Sequence, residues 1–414
     1  MDVSHWTLAL GIVLLAFTGN AFRPIYRPVE LSVGLSFFPS WLTAELALHH
    51  AVIQVVIALW LARAGAVHDA AGQIGLSLWG LNVALLALCW LRGFRARRAI
   101  EDALAEALGP RWTDFIDRPL ADRLPRRPQA WRWALPTPRR RDVEVRRNVP
   151  FARLPDGREL CLDLFLPRVR TARAPLLVFV HGGGWVIGHR EHQGQPLLHD
   201  LAAQGWVCAS VEYRLSPRAT FPEHLVDVKH GIAWLRERAG ELGADPSFVV
   251  ASGISAGAHL AALAALTPND PEYQPGFETA DTTLAGCVPI YGVYDFADRE
   301  RLWPDPRGIR VVQAVVMKTT PEKDPVAYDK ASPLARVRPD APPFLVVHGS
   351  IDVLAPVAGA RSFARALRAV SKAPVVYAEI PGGQHAFDVF HSPRADLTLQ
   401  GVFRFLAWLR SARR

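Results

Sequence analysis

Residues 247–266 read "SFVVASGISAGAHLAALAAL". An apolar, strand-forming run passes without a spacer through Gly253-Ile254-Ser255-Ala256-Gly257 into an Ala/Leu-rich run of high helix propensity. A chain turns from strand to helix in so few residues only on a sharp bend. Glycines two positions either side of the serine leave room for that bend. It lifts the Ser255 hydroxyl above a sheet edge, with the positive end of a helix behind it. A strand feeding directly into a helix is half of a βαβ unit, so this stretch argues for a mainly parallel sheet covered by helices. The chain from about residue 143 agrees. "ELCLDLFLP" alternates with period two, and "LLVFV", "WVCASVEY", "AGCVPIYG" and "PFLVVHGS" are short buried-strand runs. Helical stretches over residues 223–241, 256–266 and 356–370, and a helical C-terminus, fall between or after them.

A serine hydroxyl is a weak nucleophile until a base takes its proton, and the base needs an acid to orient it. "FLVVHGSIDVLAP" ends one strand and offers Asp352 in a loop; "VVYAEIPGGQHAF" ends the next and offers His385. Both are then at the C-terminal edge of the sheet, where open α/β sheets bind ligands. His391 competes with His385 as base, and Asp388 or Asp295 with Asp352 as acid. His348 precedes the acid in the chain, and His259, on the nucleophile helix, is expected to point away. Upstream, "LLVFV" runs into "HGGGW" at residues 181–185. Three consecutive glycines cost backbone entropy, and they lack the spacing of a nucleotide-phosphate loop. Their use is to bare backbone N–H groups close to the serine. On that reading Gly183→Val should fold but lose turnover.

These residues resemble the hormone-sensitive-lipase-like branch of the α/β-hydrolase esterases. The resemblance rests on "HGGGW", "VEYRLSPRATFPEHLVDVKHGIAWL", "GISAGAHLAALAAL", "HGSIDVL" and "GGQHAF", and covers about residues 145–414. Within that branch the chain looks most like membrane-associated bacterial carboxylesterases and, secondly, prenylcysteine methylesterases. The resemblance implies Ser255 as nucleophile, Asp352 as acid and His385 as base. It implies an oxyanion hole from the N–H groups of Gly183, Gly184 and Ala256, with His181 and Gly182 shaping the loop. No cofactor or metal is implied, and the substrate is a small-molecule ester or a lipid. Two departures, Ile254 before the serine and "DVLAP" after the acid, leave substrate preference open. So does the lid: "GIRVVQAVVMK" either faces an acyl chain or packs as an ordinary helix. The expected function is a membrane-anchored serine carboxylesterase or lipase. An amidase, a deacetylase or a prenylcysteine-type methylesterase uses the same scaffold. A ligand receptor on a dead scaffold typically lacks the base, which is present here.

The first hundred residues differ. Residues 6–22, 41–62 and 74–91 are apolar stretches of membrane-spanning character. Buried helices of a soluble protein are the alternative, or a cleaved leader for the first. Arg23, Arg27, Arg92, Arg95, Arg97 and Arg98 lie on one side of three such spans and only Arg63 on the other. The positive-inside rule therefore puts the C-terminal domain in the cytoplasm. Glu45, His49 and His50 are expected near one helix face, as packing groups or a proton or ligand site. The expected division is a membrane region over 1–98, a basic Pro/Arg-rich linker over 99–142 and a catalytic domain over 143–414. Residues 118–147 hold ten arginines against three acids, nearly the whole net charge of +8. Charge so confined to a Pro-rich stretch fits a linker or a membrane-surface patch, not a nucleic-acid module. Cys89, Cys161, Cys208 and Cys287 are too scattered for a metal or disulfide framework and are expected as buried free thiols.

Overall fold

The computed structural model describes residues 2–125, 127–134, 140, 142–169 and 172–413. Residues 126, 135–139 and 141 of the basic stretch, including Arg126, Arg139 and Arg141, lie outside the described residues. Among the described residues eight strands form one sheet: β1 Val143–Arg153, β2 Glu159–Pro167, β3 Ala174–Val180, β4 Val207–Val211, β5 Ala244–Ile254, β6 Gly286–Ile290, β7 Phe344–Gly349 and β8 Val375–Ile380. Their order is β1-β2-β4-β3-β5-β6-β7-β8. β2 runs antiparallel to β1 and β4, and every other neighbouring pair is parallel. β3 shows why the central strands read as unbroken apolar runs. Leu176, Val178 and Val180 face a layer with the helices Glu223–Glu237 and Ala256–Leu266. Leu177 and Phe179 face the opposite layer, with the helices Arg95–Leu108, Gln195–Ala203 and Pro393–Ser411. Covered on both faces, such strands have no polar side. The helix Ala256–Leu266 is buried along its whole length, which explains its small Ala-rich composition.

Three N-terminal helical stretches, Val3–Phe22, Ala47–Ala66 and Ala70–Leu108, are long and apolar enough to cross a membrane. Many of their small and polar residues are buried and many of their large apolar ones exposed, although Leu61, Trp79 and Leu86 pack inside. Ser4, Thr7, Gly11 and Thr18 of the first, and Gly72, Gly75 and Asn82 of the third, are buried. Ile12, Phe17, Val56, Trp60, Leu81 and Leu91 are exposed. Small residues let the backbones close up: a Cβ on Gly75 would stand 2.7 Å from the backbone N of Leu8.

Two sequence expectations need correction. The apolar stretch 41–62 is not one helix. It breaks at Leu46 (φ −105°, ψ 24°), between a short helix Phe38–Glu45 and the helix Ala47–Leu61. Glu45 therefore leaves the face of His49 and His50 and pairs with Arg394 of the sheet domain. The linker expected over 99–142 begins inside the helix Arg95–Leu108, which extends the third apolar helix and packs on the sheet domain. Ala96, Ile100, Ala103 and Leu104 are its buried stripe, and Ile100 fills the space that a side chain on Gly401 would need. Further along, Arg132 is buried against Asp200 at 2.8 Å, and the Trp133 indole donates to Asp396 at 3.0 Å. Of the four free thiols, Cys89, Cys208 and Cys287 are buried, while Cys161 is only partly covered.

Candidate active site

Ser255 sits between β5 and its helix at φ 53° and ψ −121°, a conformation that a residue with a side chain keeps only where its surroundings enforce it. Its N–H donates to the Ile290 carbonyl at 3.0 Å, and its carbonyl accepts from His259 N–H at 3.1 Å. A Cβ on Gly253 would lie 2.4 Å from the Gly257 carbonyl oxygen, and one on Gly257 2.1 Å from that of Val180. Backbone contact thus dictates both glycines of the motif.

His385 and Asp352 meet across the loops after β8 and β7. Nδ1 of His385 is 2.7 Å from Oδ2 of Asp352. Oδ1 accepts the N–H groups of Leu354 and Ala355, both at 2.8 Å. His348 Nε2 lies 3.3 Å from Oδ2 and 2.9 Å from the Ala355 carbonyl. Burial works to raise the Asp352 pKa. Attraction to His385 and hydrogen bonds from His348 and His385 outweigh it and hold the group below the usual carboxylate range. Ser255 and His385 line one cavity of about 330 Å³, with Gly184 and Trp185 beside them.

The glycine loop approaches the serine from β3. Gly182 N–H is taken by Gln193 Oε1 at 2.7 Å. Among the described residues the N–H groups of Gly183, Gly184 and Ala256 meet no acceptor, which leaves them free for a ligand oxygen. His181 is buried, stacks on Tyr213 with ring centroids 4.4 Å apart and faces the Gly182 carbonyl through Nδ1 at 2.9 Å. Burial lowers its pKa to about 4, so it stays neutral and supports the loop. The expectation for Gly183→Val does not hold. Gly183 has φ 124°, and a Cβ there would stand 1.9 Å from the Ile187 carbonyl oxygen, so the loop itself requires this glycine. Gly184, at φ 60°, has open space where a Cβ would point.

The competing residues go elsewhere. His259 accepts from the Trp185 indole at 3.2 Å and faces the Ala331 carbonyl at 2.7 Å, away from the cavity. His391 lies between Asp396 and Arg132. Asp295 binds Arg299 and the N–H of Ala297. Asp388 is the exception. It is buried, takes the Tyr291 hydroxyl, and the Tyr291 ring lies 4.6 Å from that of His385. His49 reaches the Ala134 carbonyl at 3.3 Å and has no part in the cavity. Among the described residues no cluster of His, Cys, Asp and Glu has a metal-binding arrangement.

Residues 26–33 were missed as part of the site. Tyr26, Val29, Ser32 and Val33 line the cavity, and Val29 N–H is tied to Asp305 Oδ2 at 3.0 Å. No hydrophobic period marks the "RPIYRPVELSVG" segment that carries them. Both readings of "GIRVVQAVVMK" apply: Gly308 and Val312 line the cavity, while Val316 and Met317 pack into the core.

A family model described as BD-FAE matches residues 162–367. Esterase LipQ of Mycobacterium tuberculosis is 39% identical over 75% of this chain and 74% of its own length. "Probable carboxylic ester hydrolase LipM" of the same organism is 47% identical over 57% of this chain, but the match spans only 55% of LipM. The isoprenylcysteine alpha-carbonyl methylesterase ICME of Arabidopsis thaliana is 32% identical over 56% of this chain and 55% of its own length. Apo Thermogutta terrifontis esterase 2 superposes with TM-score 0.53 and 26% identity, over 65% of this chain and 93% of that one. A sheet of this order, a strained serine between strand and helix, and relatives of this kind converge: the chain belongs to the hormone-sensitive-lipase-like branch of the α/β-hydrolase carboxylic ester hydrolases.

Proposed function

We propose that this protein is a membrane-anchored serine esterase that works through an acyl-enzyme on Ser255. The observation that carries the reading is the 2.7 Å contact of His385 with a fully buried Asp352, opening on the cavity that Ser255 lines. Nε2 of His385 takes the Ser255 proton as Oγ attacks the ester carbonyl. Asp352, ionised at neutral pH, keeps the other imidazole proton on Nδ1 and stabilises the imidazolium that forms. The carbonyl oxygen becomes an oxyanion and moves onto the N–H groups of Gly183, Gly184 and Ala256, each worth about 10²–10³ in rate in comparable sites. The imidazolium returns its proton to the leaving alkoxide. A water then repeats the cycle on the acyl-enzyme and frees the acid.

The three apolar helices anchor the enzyme, and the arginine asymmetry puts the catalytic domain on the cytoplasmic side. Labelling of the membrane fraction with a fluorophosphonate tests the chemistry. Wild type labels, while Ser255→Ala and His385→Ala do not; labelling that persists in Ser255→Ala would sink the mechanism. Protease added to intact cells tests the topology, since external digestion of the catalytic domain excludes a cytoplasmic position.

A second reading is a methylesterase of prenylated cysteine. The apolar cavity walls Val29, Val33, Val293 and Val312 favour it, with the 32% identity to a plant protein of that name. Turnover of a prenylcysteine methyl ester against p-nitrophenyl esters of rising chain length separates the two.

A further inference from the structure

The loop that carries His385 is not held by the sheet domain alone. Side chains of the short helix Phe38–Glu45 grip the residues on both sides of the histidine. Before it, Gln384 is fully buried, and its Oε1 accepts the N–H groups of Val353 and His385, both at 2.9 Å. One oxygen thus ties the residue after the acid to the base. The same side chain donates through Nε2 to Ser40 Oγ at 2.8 Å, and Ser40 Oγ donates to the Phe37 carbonyl at 3.2 Å. After the histidine, Ala386 stands at φ 62°, in the left-handed region that disfavours a residue with a Cβ. Its carbonyl accepts the Trp41 indole N–H at 2.8 Å. Trp41 is packed between Phe37 and Phe390, with ring centroids 5.6 and 5.2 Å away. The Phe37 ring lies edge-on to the His385 imidazole at 6.2 Å. At the far end Glu45 binds Ser392 and Arg394, and Arg394 reaches back to the Pro381 carbonyl at 3.3 Å. The helix therefore follows this loop from Pro381 to Arg394.

We propose that the helix Phe38–Glu45 is a clamp that sets the working position of His385, with Ser40 and Trp41 as its positioning residues. The proposal rests on His385 being the base. A catalytic imidazole gains its rate from being held within a fraction of an ångström of the serine proton. Here the groups that hold it come from the chain between the first two apolar helices. The membrane region is thus part of the catalytic apparatus as well as an anchor. The strained Ala386 gives the proposal a specific mark. A residue that resists its conformation needs the Trp41 hydrogen bond, and a glycine does not.

The test uses the full chain in detergent or nanodiscs with a p-nitrophenyl ester. Trp41→Phe keeps the ring stack and removes the N–H; Ser40→Ala removes the acceptor of Gln384. Each is expected to lower kcat about tenfold, the scale of one buried hydrogen bond, with KM within twofold and the melting temperature little changed. Adding Ala386→Gly to Trp41→Phe is expected to recover several-fold of the lost kcat. Wild-type kcat in both single variants would overturn the clamp. So would a loss of kcat that follows the melting temperature and is not rescued by Ala386→Gly. His385→Ala, run beside them, keeps the two readings apart. If it retains turnover, the base assignment fails and the clamp with it. If it abolishes turnover while the clamp variants stay normal, the clamp alone fails.

Discussion

Asp352→Asn separates the acid's orienting role from its structural one. Asp352 uses both oxygens: Oδ1 on the N–H groups of Leu354 and Ala355, Oδ2 on His385. An asparagine has one acceptor oxygen and must choose. With the oxygen toward His385, its NH₂ would face the N–H donors of Leu354, part-buried, and Ala355, buried, and leaving the buried one unpaired costs about 1–3 kcal/mol. With the oxygen on the two N–H groups, the NH₂ faces His385 Nδ1 and His348 Nε2; the His385 bond is reversed, worth about 1 kcal/mol net, while His348 keeps its shorter bond to the Ala355 carbonyl at 2.9 Å. The second orientation wins. It forces Nδ1 to accept, so the imidazole carries its proton on Nε2, the nitrogen that receives the Ser255 proton in the proposed mechanism. The fold survives, and kcat falls about 10⁴-fold, or about 5 kcal/mol of transition-state stabilisation. The initial burst of p-nitrophenol measures acylation directly, and the melting temperature reports the fold. A variant within tenfold of wild type would refute this reasoning. It would move the orienting role to Asp388, the other buried acid near His385, and Asp388→Asn would then give the large loss.

The glycine loop gives a paired test: Gly184→Ala is expected to fold at about 1 kcal/mol cost from its left-handed φ and to lose turnover because the new methyl points into the open space beside the cavity. Gly183→Ala should give little folded protein, and a well-folded, active Gly183→Ala would contradict the 1.9 Å contact. Burial depresses the pKa of His181 and His224 to about 4 and of His259 to about 3. The unfolded chain takes up these protons below about pH 6.5 while the folded chain does not, so stability is full above pH 6.5 and falls toward pH 4, by up to about 1.4 kcal/mol per pH unit for each histidine; a melting temperature equal at pH 7 and pH 5 would contradict this. Glu45→Ala strands the buried Arg394 guanidinium and is expected to cost about 3–5 kcal/mol. Pairing it with Arg394→Met should return much of that loss in the melting temperature.

What could be read from the sequence was the chemistry held in short motifs. Gly253, Ser255 and Gly257 are local: their identities follow from atoms a few residues away or on the adjoining strand, so the pattern survives as a string. That Asp352 and His385 meet was legible because each lies in the loop after a strand, β7 and β8, and the parallel order brings those loops to one edge. The clamp was not legible, for a physical reason. Hydropathy scores Trp41, Leu42 and Ala44 as it scores a membrane helix, so residues 41–62 read as one span. The break at Leu46 comes with a partner for Glu45, Arg394, 349 residues away. The basic stretch failed in the same way. Its net charge suggested a linker, but the charge of Arg132 is met by Asp200, and the apolar stripe of the helix Arg95–Leu108 is met by the helix Pro393–Ser411. In each case one half of a contact lies before β1 and the other half in the domain. Neither half alone differs from a solvated arginine or a membrane residue. A long-range partner is what turns such residues into structure, and for Glu45 that partner, Arg394, stands at the end of the loop that carries His385.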